Sequence, residues 1–263
     1  MANDDRSWRK LKTVDTAMEI IETLAAVDSA GVTELATQLD LSKSSTYSYL
    51  TTLQEADYLT REGNEYRLSY QFLLLGEYVR NSNPLFQFGR PKAAHLATET
   101  GHYAHLYAEE DGRGINIYES RGEHAGDYDY QSLKLQQREP LHVTASGKAI
   151  LAHLSTDRVS EIIRAQGLEQ WTANTITDED ALFAELEEIE EQGFAVNDEE
   201  EIEGFRAVAA PVCVSGGDIL GSISVSGPTT FFSEGQLRET VAEQVTSAAN
   251  MIEVDVNMSE REL

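Results

Sequence analysis

The sequence predicts an α+β protein in two parts, and three patterns support that prediction. Apolar residues recur at helical spacing from Leu11 to about Ala56, which favours a helical N-terminal part. Two strand-like segments then flank Glu62-Gly63-Asn64, a pattern typical of a β-hairpin. Beyond Pro84, runs of strand length alternate with helical segments and indicate a largely antiparallel sheet with flanking helices. The chain has 263 residues, 41% of them hydrophobic, which suits one large or two small domains.

The N-terminal part is predicted to contain three helices followed by the hairpin. The first helix covers Leu11–Ala26, and Thr33 is predicted to cap a short second helix. Ser42 is the predicted N-cap of a third helix that ends near Ala56. The two strands are predicted at Tyr58–Arg61 and Glu65–Leu68. Three helices followed by a hairpin is the element order of a winged helix-turn-helix.

A linker helix and a larger C-terminal domain are predicted to follow. Asn81–Pro84 ends a helix that begins near Tyr70, so we divide the chain into domain 1–69, linker 70–83 and domain 84–263. Ser233 and Gln236 have the spacing of a capping box for a final helix. The other predicted helices are Leu85–Thr100, Ala145–Leu154, Val159–Ala165 and Asp178–Gln192, the last opened by Thr177. The predicted strands are His102–Ala108, Gly114–Glu119, Phe194–Asn197, Ala207–Val214 and Ile219–Ser226.

The charge of the chain is strongly negative. There are 46 acidic and 20 basic residues, a formal net charge of −26, and only 6 of the basic residues are lysines. This excludes a globally basic protein that wraps nucleic acid. It favours a halophilic protein whose carboxylates keep it hydrated in molar salt, with an acidic mesophilic protein as the alternative. A polar N-terminus and the absence of an apolar run near 18 residues predict a cytoplasmic protein without a membrane span.

Several segments resemble the IclR-type family of transcriptional regulators. In the N-terminal part the similar segments are Leu41–Ser45 and Tyr66–Gly76, and in the C-terminal part they are Leu141–Ala152, Asp198–Val212 and Gly221–Pro228. The match covers nearly the whole chain in the same order. It implies a dimeric or tetrameric regulator that binds an operator in double-stranded DNA. It also implies a GAF-like C-terminal domain that binds a small effector, such as an organic acid, an aromatic compound or a sugar, and controls catabolic genes.

The third helix is the predicted DNA-reading element. The N-terminal residues of a recognition helix meet base edges in the major groove, where lysine and hydroxyl side chains contact bases or phosphates. On the wing, the basic side chains are either DNA contacts or ordinary surface partners of Glu62 and Glu65. The candidate DNA-binding residues are Lys43, Ser44, Ser45, Tyr47, Ser48, Arg61 and Arg67.

The predicted effector site combines a helix start with two serines. Thr144 is expected to cap a helix and leave the amides of Ala145, Ser146 and Gly147 free for an anion. Ser224 and Ser226 are two positions apart on a strand and share a face. The resemblance adds Asn197 and Ala207, at positions where relatives often have an acid and a cysteine. Lys148 is either an anion partner or a scaffold contact, and the acidic run Asp198–Glu203 is either a cation site or, more often, a solvated loop.

Other functions lack comparable signals. His102 and His105 are three apart on a predicted strand and point to opposite faces, so no metal site is predicted. Cys213 is the only cysteine, which excludes an intrachain disulfide, and its apolar neighbours predict an unreactive thiol. No nucleotide-binding or nucleophile-elbow motif is present, and no cofactor is predicted. The alternatives are a C-terminal domain that is an enzyme and a pure protein-interaction module.

Overall fold

Two compact units divide the chain between Val79 and Arg80 in this computed structural model. The structure describes residues 10–125, 138–231, 235 and 237–260. Both units mix helices and strands, which confirms the predicted α+β class.

The first unit is a winged helix-turn-helix. Its strands are β1 (Ala30–Gly31), β2 (Leu59–Glu62) and β3 (Glu65–Leu68). They form an antiparallel sheet in the order β1-β3-β2, and Gly63 and Asn64 form the two-residue turn between β2 and β3. The helices are α1 (Lys12–Val27), α2 (Val32–Gln38), α3 (Lys43–Glu55) and α4 (Gln71–Asn81), and the last two residues of α4 belong to the second unit.

One apolar core holds this unit together. It contains buried side chains from α1, α2, α3 and the sheet, namely Ile20, Leu24, Ala30, Leu35, Leu50, Leu59 and Tyr66. The predicted cap of α3 is confirmed, because the Ser42 hydroxyl accepts a hydrogen bond from the amide of Ser45 at 3.1 Å. The predicted cap of α2 is wrong: this helix begins at Val32 after Gly31, and no side chain caps it. Strand β1 was not predicted, since two residues carry no periodic signal.

The second unit is built around a six-stranded antiparallel sheet. The strands are β4 (Tyr103–Glu110), β5 (Arg113–Arg121), β6 (Arg138–Pro140), β7 (Ala195–Asp198), β8 (Phe205–Cys213) and β9 (Ile219–Pro228). Their order in the sheet is β6-β5-β4-β9-β8-β7. The helices are α5 (Pro84–Thr100), α6 (Ala145–Leu151), α7 (Thr156–Gln166), α8 (Glu179–Gln192) and α9 (Ala242–Glu260), the last preceded by the π-helical turn Leu237–Val241.

Helices cover both faces of this sheet and form two separate cores. Helices α5 and α9 pack on one face, against Leu106, Val208, Ile223 and Val225 among others. Helices α6, α7 and α8 belong to the second core, on the face that carries Tyr107 and Ala209. Because side chains alternate along a strand, residues of odd and even number on β4 serve different cores.

Several boundaries differ from the prediction for local reasons. Helix α8 is capped by Asp178, whose carboxylate accepts from the amide of Ala181 at 2.9 Å, so the predicted opening by Thr177 is wrong. The predicted capping residues Ser233 and Gln236 lie outside the described residues. Strand β6 was not predicted because three residues are too few to show alternation. No helix in the described part of the chain is long and apolar enough to cross a membrane.

Candidate effector cavity and DNA-binding surface

A small polar cavity of about 20 Å³ lies in the second unit, between the sheet and the start of α6. Six of the seven predicted effector residues line it, and Asn197 does not. The lining residues are His105, Tyr107, Asn116, Thr144, Ala145, Ser146, Glu201, Ala207, Ser224 and Ser226. The segments that supply them are far apart in sequence, and strand pairing brings them together.

The start of α6 forms one wall of the cavity. The Thr144 hydroxyl accepts from the amide of Gly147 at 2.9 Å, so this amide is not free as predicted. The amides of the first helical turn have no acceptor within the helix, which leaves Ala145 and Ser146 as the backbone donors. A side chain at Gly147 would lie 2.1 Å from the carbonyl oxygen of Leu141, so only glycine fits there.

Strand β9 supplies the opposite wall through alternate serines. Ser224 pairs with His105 of β4 and Ser226 pairs with Tyr103, and both serines are buried. Ser222, on the same face, donates to the carbonyl oxygen of Ser146 at 3.1 Å. This bond ties the α6 turn to the central strand.

His105 is the central residue of the cavity, and it was not predicted. Its Nε2 atom lies 2.9 Å from the Ser226 hydroxyl, and its Nδ1 atom lies 3.0 Å from the Asn116 amide. The buried carboxylate of Glu119 is 3.8 Å from Nδ1. A serine hydroxyl at this distance from an imidazole has the spacing of a nucleophile and its base. No local sequence pattern predicts this pair. The pair was hidden because 121 positions separate its members.

Tyr107 forms a second buried polar contact beside His105. Its hydroxyl donates to Glu139 at 2.9 Å. Burial, followed by the charges of Glu139 and Glu201, raises the pKa of Tyr107 well above its usual value. The phenol therefore stays protonated, and its proton is directed to Glu139.

Lys148 is fully buried and is a scaffold contact. Its ammonium group donates to both carboxylate oxygens of Glu200, at 2.7 and 2.8 Å, and also to Glu185. Burial raises the pKa of Glu200, while Lys148 acts in the opposite direction. Of the two interpretations left open for Lys148, the structure supports the scaffold.

Asn197 acts on the same scaffold rather than on the cavity. Its amide nitrogen donates to the carbonyl oxygen of Val143 at 2.6 Å, and its oxygen accepts from the amide of Glu200 at 3.1 Å. The residue therefore connects the turn before α6 to the loop that carries Glu201.

The acidic run Asp198–Glu203 is more ordered than a solvated loop. Glu200 is buried against Lys148, and Asp198 accepts from Arg206 at 2.5 Å. The Glu199 carboxylate accepts from the amide of Gly204 at 2.7 Å. Glu200 therefore departs from the expected solvated loop because it is buried, whereas Asp198 and Glu199 keep partial exposure beside their protein partners.

The remaining candidate reactive groups lie away from the cavity. The His102 ring is 6.0 Å from the His124 ring, and burial followed by the His124 charge lowers the pKa of His102. His102 and His105 thus have different surroundings. Burial, with a contribution from Glu253, raises the pKa of Cys213 to about 11, so its thiol stays protonated at neutral pH.

The exposed face of α3 carries the predicted DNA-reading residues, while Thr46 and Leu50 of the same helix are buried. Tyr47 is 51% exposed. The first-turn hydroxyls form a small cluster, with Ser42 3.0 Å from Ser44 and 2.9 Å from Ser45. The exposed residues of this face are Lys43, Ser44, Ser45, Tyr47 and Ser48.

The two arginines of the wing are exposed and have protein partners. Arg61 donates to the carbonyl oxygen of Gly63 at 2.9 Å, and its guanidinium lies 5.4 Å from the centre of the Tyr66 ring. Arg67 pairs with Glu62 at 3.3 Å. Exposed ion pairs of this kind are weak, so Arg67 is able to exchange its partner for a phosphate.

The winged helix-turn-helix of the first unit places the protein in the class of DNA-binding regulators. Sequence models of known families agree: the IclR helix-turn-helix domain matches residues 13–63, and the bacterial transcriptional regulator IclR C-terminal domain matches residues 77–254. The chain belongs to the IclR family. Members of this family are transcriptional regulators rather than enzymes, with an N-terminal DNA-binding domain and a C-terminal ligand-binding domain.

Individual relatives agree along the whole length of the chain. The protein named "Probable HTH-type transcriptional regulator ArcR" of Halobacterium salinarum is 36% identical over 247 residues, 94% of each chain, and this haloarchaeal relative supports the halophilic interpretation. The IclR structure of Thermotoga maritima has a TM-score of 0.80 at 26% identity and covers 94% of this chain and 100% of its own. An IclR homologue of Microbacterium hydrocarbonoxydans, complexed with 4-hydroxybenzoate, has a TM-score of 0.77 at 20% identity over 94% and 99%.

Proposed function

We propose that this protein controls catabolic genes by binding operator DNA through α3 and the wing, and that a small effector in the cavity changes this binding. Residues 1–69 would form the DNA-binding domain, 70–83 the linker, and 84–263 the effector and oligomerisation domain. The protein would act in the cytoplasm. The observation that carries the proposal is the cavity, where six residues chosen from sequence for effector binding meet.

The proposed DNA contact is dominated by hydroxyls rather than by charge. Lys43 is the only basic residue of α3, and the other exposed candidates are Ser44, Ser45, Tyr47 and Ser48. In molar salt, counterion release contributes little to DNA affinity. Hydrogen bonds and apolar contacts with base edges therefore carry more of the recognition.

Changing Lys43→Ala together with Ser44→Ala tests this interface. We expect operator binding to weaken by about 1–3 kcal/mol, the usual scale for a lost base or charged contact. Folding should change little, because both side chains are exposed. A quantitative shift assay with the protein's own promoter measures the effect. Thr52→Ala, an exposed hydroxyl near the end of the same helix, is the control, and an unchanged operator affinity in the double variant would rule out this face.

The effector site is proposed to open when it is filled. A volume of about 20 Å³ holds roughly one water molecule, so a metabolite enters only if a wall of the cavity moves. Such a movement couples ligand binding to a second conformation, as a ligand-responsive switch requires. A structural relative carries 4-hydroxybenzoate, which supports a small organic acid or aromatic compound as the effector, with a sugar as the other candidate.

The double change Ser224→Ala and Ser226→Ala tests the cavity. Each lost hydrogen bond costs roughly 0.5–1.5 kcal/mol for a neutral ligand group and about 1.5–3 kcal/mol for a charged one. We expect effector affinity to fall at least tenfold, while effector-free operator binding stays the same. A thermal-shift screen of metabolites in multimolar KCl identifies the ligand first, because a true ligand stabilises the fold. Thr98→Ala, which removes an exposed hydroxyl of α5 outside the cavity lining, is the control. Wild-type sensitivity in the double variant would place the effector elsewhere.

Self-association is proposed from exposed apolar side chains of the first unit. Helix α4 has no buried residue. Its exposed apolar side chains, with 59–75% of their surface accessible, are Leu73, Leu74, Tyr78 and Val79. Exposed apolar clusters of this kind mark protein contacts. We therefore propose that a second copy of the chain covers this helix in a homodimer, which is able to pair further into a tetramer.

A further inference from the structure

The tautomer of His105 is fixed by its neighbours. The Asn116 amide satisfies its surroundings when it is oriented with its nitrogen toward the carbonyl oxygens of Tyr118, at 2.8 Å, and Leu106, at 3.2 Å, and in this orientation its oxygen faces His105. That oxygen accepts from Nδ1 at 3.0 Å, which places a hydrogen on Nδ1. Any further proton must therefore bind at Nε2, the atom that lies 2.9 Å from the Ser226 hydroxyl.

The charge of His105 decides which hydrogen bond Ser226 offers to the cavity. When Nε2 is unprotonated, the Ser226 hydroxyl donates to it, and the serine oxygen has only lone pairs for a ligand. When Nε2 carries a proton, it donates to the serine oxygen, and the serine hydrogen is available to a ligand oxygen. One proton thus converts Ser226 from an acceptor into a donor.

Acidic groups surround this switch. The Glu119 carboxylate of β5 lies 3.8 Å from Nδ1, and the side chains of His105 and Glu119 are both 6% exposed. Among the described residues that line the cavity, His105 is the one that can gain a positive charge; Lys148 is outside the lining and is paired with two glutamates. Further titratable groups around the cavity, within the described part of the chain, include Glu201, Tyr107 with its partner Glu139, and Tyr103, whose ring is 6.3 Å from that of His105.

We propose that His105 is the specificity-determining residue of the effector site: the effector binds through an oxyanion such as a carboxylate, and its binding adds one proton to Nε2. This inference rests on the proposed effector function of the cavity. Glu201 in the lining and Glu139 behind Tyr107 disfavour an anion, so a positive charge beside the anion, added to the amides of Ala145 and Ser146, strengthens its binding. Protonated His105 supplies that charge and turns the Ser226 hydrogen toward the anion. A neutral hydroxylated ligand needs neither change.

The test compares acids with their neutral amides. Pyruvate, 4-hydroxybenzoate and the two corresponding amides are titrated calorimetrically into the full-length protein in multimolar KCl at pH 6, 7 and 8. Buffers of different ionisation enthalpy report proton uptake. We expect an acid to bind most tightly at pH 6. At each pH at which His105 is unprotonated before the acid is added, binding should take up about one proton. Its affinity should fall up to tenfold for each pH unit once His105 is unprotonated. The amides should bind more weakly and without a pH dependence.

Two variants separate the switch from a structural role. His105→Gln keeps a polar side chain that does not titrate, so the pH dependence and the proton uptake should disappear. His142→Gln changes a buried histidine outside the cavity lining and should keep both. Acid binding without proton uptake, equal binding of acid and amide, or no acid binding at pH 6 would each overturn the inference. Operator binding is measured without effector and again with other metabolites. This measurement tests the proposed regulator function independently of the inference about His105.

Discussion

Lys148 shows how a single buried side chain determines the shape of the cavity wall. It lies in α6 one turn after Thr144, and its ammonium group is bound by Glu200 and Glu185 from two other elements. Glu200 is adjacent to Glu201, which lines the cavity. A lysine without solvent contact needs such partners, because an unpaired buried charge is very unfavourable. The ion pair therefore holds the acidic loop against the start of α6.

We predict that Lys148→Met destabilises the protein by about 3–5 kcal/mol, because it leaves a buried carboxylate without its cation. The pKa of Glu200 is already raised by burial and should rise further in the variant. An acid with a raised pKa in the folded state stabilises the fold below its unfolded pKa and loses this contribution as the pH rises through the folded value. The stability deficit of Lys148→Met should therefore shrink from pH 7.5 to pH 5.5.

Chemical denaturation at several pH values measures this effect. Lys148→Met combined with Glu200→Gln is the matched control, because it removes the buried negative charge as well. We expect the double variant to recover part of the lost stability and to lose the pH dependence of the deficit. Equal stability of Lys148→Met and the wild type at pH 7.5 would contradict the burial of this ion pair.

Local chemistry was predictable from the sequence, whereas contacts across the sheet were not. Thr144 was identified as a helix cap because its partner is three residues away. The contact between His105 and Ser226 depends on strand pairing over 121 positions, and neither residue has a local signal for it. Asn197 was placed in the site by resemblance alone, and the structure puts its side chain on the scaffold behind the cavity.

At the scale of elements, long periodic helices were predicted well and very short strands were missed. Helix α3 begins after the predicted cap and ends within one residue of the predicted end. Strands β1 and β6 have two and three residues, which is too few for the alternation that reveals a strand. Tertiary pairing with β3 and β5 creates them instead.

Helix α4 exposes several large apolar side chains. We predict that changing Leu73→Glu and Leu74→Glu together converts the proposed dimer into a monomer, because each carboxylate would be buried in the contact. Sedimentation at several protein concentrations in multimolar KCl measures the change. Operator affinity should fall at least tenfold, since a monomer loses one of two half-site contacts.

The matched control adds the same charge outside α4. Thr33→Glu together with Gln38→Glu places two carboxylates at exposed positions of α2 and should leave the association unchanged. Thermal unfolding of Leu73→Glu/Leu74→Glu should stay close to that of the wild-type monomer, because both leucines are exposed within one chain. A wild-type chain that sediments as a monomer at every concentration would refute the dimer.

At the scale of the whole molecule, the formal net charge of −26 predicts that stability depends strongly on salt. Like charges on a compact surface repel each other, and salt screens them over about 10 Å at 0.1 M and about 3 Å at 1 M. Helix α8 concentrates this charge: its exposed face includes Glu187, Glu188 and Glu191, and it has no basic residue. The folded state is therefore expected to require high salt.

We predict that the unfolding temperature falls steeply when KCl is lowered from 3 M to 0.2 M, because the folded state brings the carboxylates closer together than the unfolded state does. Calorimetry or circular dichroism measures the shift. A triple variant should show a smaller fall in unfolding temperature; it combines Glu187→Gln, Glu188→Gln and Glu191→Gln. The exposed glutamine side chains keep their hydrogen bonds with water, and the variant has three fewer negative charges. Sucrose at the same water activity serves as the control, because it favours the compact state without screening charge. If sucrose restored the full stability at 0.2 M KCl, or if the triple variant kept the wild-type salt dependence, charge repulsion would not be the cause.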